Sequence, residues 1–343
     1  MVSVDYYSIN VFVAMLLVTT RAAMLTSSKK FASSTSQNHK QIFSRISSHD
    51  TARSMTMSSF SGNDVSQYMI LASRTNEKVK LMKSLHLKKN RDREGMLLLE
   101  GHRQIIDAIN GGYLPSTLLL SDEAISAPLG QQLVNSLKKC TPTSIYRAAN
   151  DLIQSISDTV HCQGVIASFP KPKISNNLAS IDSPLIVLMD QPTDPGNLGT
   201  IIRSAYGLGV DAVIIVDGCD PWSPKVLRSA MGMCLKLPVF ETTWKDNNVP
   251  NLLSQMTGKK GPYQLLLADA DPSGSVYHRV DMTGPTVLVV GSEAAGIGSD
   301  ARSLLGAKYI RIPTPENRDD VESFNAAVAG SILIAEAARQ RGG

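Results

Sequence analysis

The chain is poor in aromatic residues, 5% of 343, with Trp222 and Trp244 as its two tryptophans. That argues against a single-strand binder built from rows of stacking rings. Its four cysteines, Cys140, Cys162, Cys219 and Cys234, form no C-x-x-C pair. Neither a structural zinc site nor a disulfide framework is therefore expected, and no metal is called for. Glutamate is missing from the first 65 residues. The apolar run at residues 9–18 contains Asn10 and falls short of the roughly 20 residues that cross a bilayer. What is present is 43% hydrophobic and 19% charged residues, too apolar for a disordered chain and enough for sizeable cores. A net charge of +4 permits a polyanionic partner without demanding one.

Residues 1–65 stand apart. They are rich in Ser and Thr, and Arg21, Lys29, Lys30, Lys40, Arg45 and Arg53 outnumber Asp5, Asp50 and Asp64. This is the make-up of an organelle-targeting segment. An apolar core followed by such a region suits a plastid bounded by extra membranes; a mitochondrial presequence is the competing reading, weakened by the lack of a basic residue before Arg21. No membrane association is expected of the mature protein.

Two folded parts follow. From 74 to 170, short apolar runs (96–99, 117–120, 144–146, 164–169) alternate with helical patterns, one of them at 78–88 with Val79, Met82 and Leu85 on a single face. This is α/β, in roughly 100 residues. A linker rich in Pro and Asn at 171–182 leads to a second part, 183–343. Its strands at 185–189, 212–216, 264–268, 286–290 and 309–312 are almost wholly apolar, as in a parallel sheet covered on both faces. The second part is therefore expected to be a doubly wound α/β domain.

Ligands of open α/β sheets bind beyond the carboxyl ends of the strands, and three of those ends are unusual. After 185–189 come Asp190, Asp194, Pro195, Asn197, Gly199 and Arg203, with Asn197 expected to cap a helix. After 286–290 come Gly291, Glu293, Gly296 and Gly298, whose spacing fits neither G-x-G-x-x-G nor G-x-x-x-x-G-K-[ST]. After 309–312 come Pro313, the acidic residues Glu316, Asp319, Asp320 and Glu322, and then Ser323, Phe324 and Asn325. Ser323 is expected to cap the last helix. Each segment alone also suits an ordinary capped turn; together, in this order, they are far more specific.

The three resemble the signature motifs of the SpoU/TrmH family of RNA ribose 2′-O-methyltransferases, within the SPOUT superfamily. Asp194, Pro195, Asn197, Gly199 and Arg203 match the first motif. Val289, Gly291, Glu293 and Gly296 match the second, and Ile312, Pro313, Ser323 and Asn325 the third, with Phe324 in place of leucine. The stretch from Trp222 to Gly232 is similar to the mitochondrial-type large-subunit rRNA branch. The resemblance implies a C-terminal SPOUT domain with a trefoil knot, preceded by a small α/β RNA-binding substrate domain. It implies a homodimer whose sites draw on both copies, and S-adenosylmethionine held by Gly291, Gly296, Ile312, Pro313 and Phe324, largely through backbone. Catalytic roles then fall to Arg203, Asn197, Glu293, Ser323 and Asn325. Arg203 is the family's candidate for handling the ribose hydroxyl; a guanidinium stays protonated, so oxyanion and phosphate stabilisation suit it better than proton abstraction. The sequence departs from the pattern in its long acidic connection at 314–322 and in Ala327, where a serine is common.

Lys78, Lys80, Lys83, Lys88, Lys89, Arg91 and Arg93 crowd into 16 positions and form the expected RNA-binding face; such contacts give affinity without sequence choice. The substrate reads as organellar rRNA ahead of tRNA. A catalytically silent RNA-binding assembly factor is the alternative from another class.

Overall fold

The computed structural model describes residues 68–137, 144–173, 177–257, 262–314 and 323–342. The expected targeting segment, Cys140 and the acidic residues Glu316, Asp319, Asp320 and Glu322 lie outside them.

The first sheet contains β1 (Met69–Ile70), β2 (Met96–Glu100), β3 (Thr117–Leu120), β4 (Ser144–Arg147) and β5 (Val165–Pro170), in the order β1-β4-β3-β5-β2. Strands β2 and β3 pair antiparallel with β5, and the remaining pairs are parallel. Its helices are α1 (Glu77–Ser84), α2 (Lys88–Glu94), α3 (His102–Asn110), α4 (Asp122–Ser126), α5 (Pro128–Leu137) and α6 (Asn150–Gln154). The single helix expected at 78–88 is two. Val79, Met82 and Leu85 do share a buried face, but the Arg91 guanidinium takes the carbonyls of Leu85 and His86 at 2.6 and 2.8 Å. With those acceptors occupied the chain turns and restarts at Lys88.

The second sheet is parallel throughout, seven strands in the order β10-β12-β9-β11-β6-β7-β8. They are β6 (Leu185–Asp190), β7 (Ala212–Val216), β8 (Val239–Thr242), β9 (Gln264–Ala268), β10 (Ser275–Val276), β11 (Thr286–Val290) and β12 (Ala307–Arg311). Helices α7 (Pro195–Gly207), α8 (Pro224–Ser229), α9 (Asn248–Thr257), α10 (Ser299–Arg302) and α11 (Ala326–Gln340) complete this part. Both faces are covered: Ile186, Leu188, Val287 and Val289 enter one apolar cluster, and Leu185, Val187, Leu288 and Val290 the other. That explains strands without polar alternation.

The second of these clusters also takes in Leu97, Leu99 and Phe169 of the first sheet with Trp222, Val226 and Leu227 around α8, and α8 packs on β2. The described residues accordingly form one compact unit in which one apolar cluster spans both sheets. Among the described residues no helix is long and apolar enough to cross a membrane, and no three His, Cys, Asp or Glu side chains gather as metal ligands would.

Candidate active site

Strands β6 and β11 are paired neighbours, with Met189 opposite Val290. The loops that leave their carboxyl ends therefore emerge side by side, although about 100 residues separate them in the chain. In the first loop Asp194, rather than Asn197, caps α7, accepting from the Asn197 backbone N–H at 2.8 Å. The Asn197 side chain is thereby free for other work. Its Nδ2 donates to Glu293 Oε1 at 2.7 Å, and Thr193 Oγ1 donates to Glu293 Oε2 at 2.9 Å. Its Oδ1 accepts from Asn325 Nδ2 at 3.1 Å. Asn325, rather than Ser323, caps α11, its Oδ1 accepting from the backbone of Ala327 and Val328 at 2.9 and 3.3 Å. Both amides keep one sense of donation throughout, so the network links all three loops without a mismatched group. Burial raises the Glu293 carboxyl, but the hydrogen bonds from Asn197, its own backbone and Thr193 outweigh this and hold it below the usual glutamate range.

The second loop folds on itself: Ser292 and Gly296 exchange backbone hydrogen bonds of 2.9 and 3.0 Å, and Gly296 has φ 64°. A Cβ at Gly291 would lie 2.2 Å from the Gly296 carbonyl carbon. Only glycine lets the strand end approach this closely. Beside it opens a cavity of about 520 Å³, lined among others by Ala268, Val290, Gly291, Gly296, Ile312 and Phe324. Ser323 and Glu293 also reach it. Pro313 is exposed and does not line the cavity.

Several groups beyond the expected set contribute. Asp190, fully buried at the end of β6, accepts from the Gly298 backbone at 2.7 Å and from Trp244 Nε1 at 2.8 Å, pinning the exit of the glycine loop. Arg302 donates to the carbonyl of Ile297 at 3.0 Å and to Asp269 at 2.5 Å, and both Arg302 and Asp269 line the cavity. A buried Asp at a strand end was the available signal for the first; nothing in the local sequence marks the second.

Arg203 is exposed on α7. It lies about 9 Å along the helix from Asn197 and about 120° round it, by ordinary helix geometry. It does not join the Asn–Glu–Asn network of its own chain. Of the expected RNA face, Lys80, Lys83, Lys89 and Arg93 are exposed and Lys78 is half-buried, its Nζ 5.7 Å from the Tyr146 ring centroid. Arg91 is a correction: it is 2% exposed and ion-paired with Asp220, so it cannot meet an RNA phosphate. Lys88 is paired with Glu241.

Solved structures place this architecture among the SPOUT methyltransferases. The SpoU methyltransferase AviRb from Streptomyces viridochromogenes, in complex with AdoMet, is 28% identical and superposes with a TM-score of 0.65, covering 78% of this chain and 99% of that one. The chain belongs to the SpoU rRNA Methylase family, whose model matches residues 184–335. An MRM3-like substrate binding domain matches residues 76–167. Zebrafish (Danio rerio) mitochondrial rRNA methyltransferase 3A is 32% identical over 293 residues, 73% of this chain and 65% of that protein. The 23S rRNA (guanosine(2553)-2′-O)-methyltransferase RlmP of Bacillus subtilis is 29% identical over 265 residues, 77% of this chain and 97% of its own length.

Proposed function

We propose that the chain methylates a ribose 2′-hydroxyl of RNA with S-adenosylmethionine, and that the RNA is ribosomal. The carrying observation is the hydrogen-bonded Asn325–Asn197–Glu293 network beside the glycine-lined cavity. The residues fit the cofactor: Gly291 has no room for a side chain, so backbone faces the cavity, and Ile312, Phe324 and Val290 offer an apolar bed. S-adenosylmethionine supplies an electrophilic methyl group on its sulfonium. Ser323 and Glu293 line the cavity that would hold it, and Asn197 and Asn325 tie together the loops around that cavity. In-line attack by the ribose oxygen makes positioning a major part of the rate. Arg203 would stabilise the developing oxyanion and an adjacent phosphate, the hydroxyl proton passing to solvent as the O–C bond forms and the sulfonium S–C bond breaks. Arg203 is exposed and is not a member of the Asn325–Asn197–Glu293 network, which suits a homodimer in which each site is completed by the neighbouring copy. The trefoil threading belongs to the same reading.

Residues 74–170 serve as the RNA-binding substrate domain, with Lys80, Lys83, Lys89 and Arg93 as phosphate contacts, and 183–343 as the methyl-transfer domain. The likeness to a zebrafish rRNA methyltransferase named as mitochondrial and the basic, Glu-free segment 1–65 support an organelle, the mitochondrion, as the place of action. Ribose-methylation mapping of organellar RNA after gene loss tests this. One rRNA position is expected to lose its methyl group and to regain it with the native gene but not with Arg203→Ala. An unchanged rRNA map with a lost tRNA methyl group would move the substrate to tRNA, and no change in either would favour the silent assembly factor.

A further inference from the structure

Charged contacts between the two halves of the unit gather round one buried guanidinium. Arg91 of α2 is 2% exposed, spans the α1–α2 break through the carbonyls of Leu85 and His86, and pairs with Asp220 in the β7–α8 connection. The other carboxylate oxygen of Asp220 accepts from the Trp222 backbone at 2.8 Å, so the aspartate is itself held. One helical turn before Arg91, Lys88 pairs with Glu241 of β8, which also meets Lys171 at 3.6 Å. Across the interface Arg228 of α8 reaches Asp158 at 2.5 Å. Between these pairs runs the shared core of Leu97, Leu99, Trp222 and Val226. Apolar contact is non-directional: it holds two halves together but resists sliding weakly. An ion pair with a buried partner has a preferred geometry, and parting this one strands the Arg91 guanidinium away from water while Asp220 stays partly exposed.

We propose that Arg91, acting through Asp220, is a positioning residue that fixes the basic 74–170 half at one angle to the methyl-transfer cavity, so that RNA is presented at a set distance and not by a swinging arm. The inference takes its substrate, though not its geometry, from the RNA methyltransferase reading. The basic cluster then divides in two: Lys80, Lys83, Lys89 and Arg93 are exposed, Lys80 and Arg93 being paired with Glu77 and Glu94 of their own helices, while Lys88 and Arg91 reach across to the second half.

The geometry is tested without RNA. Spin-labelled unnatural residues at Gln132 on α5 and Lys308 on β12, both exposed, report the distance between the halves in the full chain. The parent is expected to give one narrow distribution, broadened by Asp220→Asn combined with Glu241→Gln. A distribution equally narrow in both overturns the proposal; should the double variant fail to fold, Asp220→Asn alone is measured and judged by the same criterion. Kinetics then use tritiated S-adenosylmethionine and ribosomal RNA from cells lacking the protein. Arg91→Met and Asp220→Asn are each expected to lower kcat/KM for RNA about tenfold while S-adenosylmethionine affinity is unchanged, with part restored by Arg91→Lys. A loss with Arg91→Met that Asp220→Asn does not reproduce overturns the link between them. Absence of transfer by the parent refutes the RNA reading, and the distance measurement still decides the clamp.

Discussion

Changing Asp190 to asparagine is expected to loosen the glycine loop while leaving the sheet folded. The carboxylate is completely buried and accepts two N–H groups, Gly298 at 2.7 Å and Trp244 Nε1 at 2.8 Å. Asparagine keeps the shape, but one end becomes a donor and must face one of those N–H groups. That leaves a buried donor unsatisfied, at about 1–3 kcal/mol, and reduces the remaining bond from charge-assisted to neutral, about 1 kcal/mol more. A total near 2–4 kcal/mol sits below the roughly 5–15 kcal/mol that holds an ordinary domain folded. Urea denaturation measures that loss. Calorimetric titration with S-adenosylmethionine measures its functional share: the Gly298 bond anchors the loop that carries Gly291 and Gly296, so each 1.4 kcal/mol spent on closing the loop costs about tenfold in affinity. Trp244→Phe is the control, since it removes one donor and leaves the Gly298 bond in place. Asp190→Asn is expected to weaken cofactor binding at least tenfold and Trp244→Phe hardly at all. Equal affinities for the two variants would refute the idea that Asp190 acts through the loop.

Three further outcomes follow from the same geometry. Gly291→Ala puts a methyl group 2.2 Å from the Gly296 carbonyl carbon; it is expected to cost about a hundredfold in S-adenosylmethionine affinity, whereas Gly207→Ala, with nothing within 4 Å, leaves it unchanged. The Glu293 carboxyl is held low, so its contribution is complete above the ordinary glutamate value of about 4.3 and is lost as the pH falls through its own lower value. Stability to urea measured from about pH 6 to about pH 3 is expected to lose that contribution on the acid side, and Glu293→Gln to make the loss shallower. Arg203→Ala is expected to abolish methyl transfer with cofactor affinity within about twofold, measured by label transfer and calorimetry; an equal loss of both would make Arg203 structural.

The parallel sheet and its three loop-bearing strand ends were readable because unbroken apolar runs have one economical explanation, a strand covered on both faces, and because Gly, Pro, Asn and Asp cluster where such strands stop. Which polar residue takes which role was not. Asp194 and Asn197 are both capable caps, as are Ser323 and Asn325; pairing β6 with β11 brings Glu293 within reach of Asn197, and that long-range contact decides the matter. The same logic misread Arg91 and gave no sign of the partner of Lys88. A helical pattern with an apolar face continues smoothly through residues 85–87, and only the fold brings Asp220 and Glu241 to meet the two basic side chains. Strand β8 escaped notice because its four residues Val239–Thr242 include Glu241, a charge that makes sense once Lys88 stands opposite. Local pattern thus located the strand ends that surround the cavity, while the carboxylate partners of Lys88 and Arg91 were written more than 100 positions away.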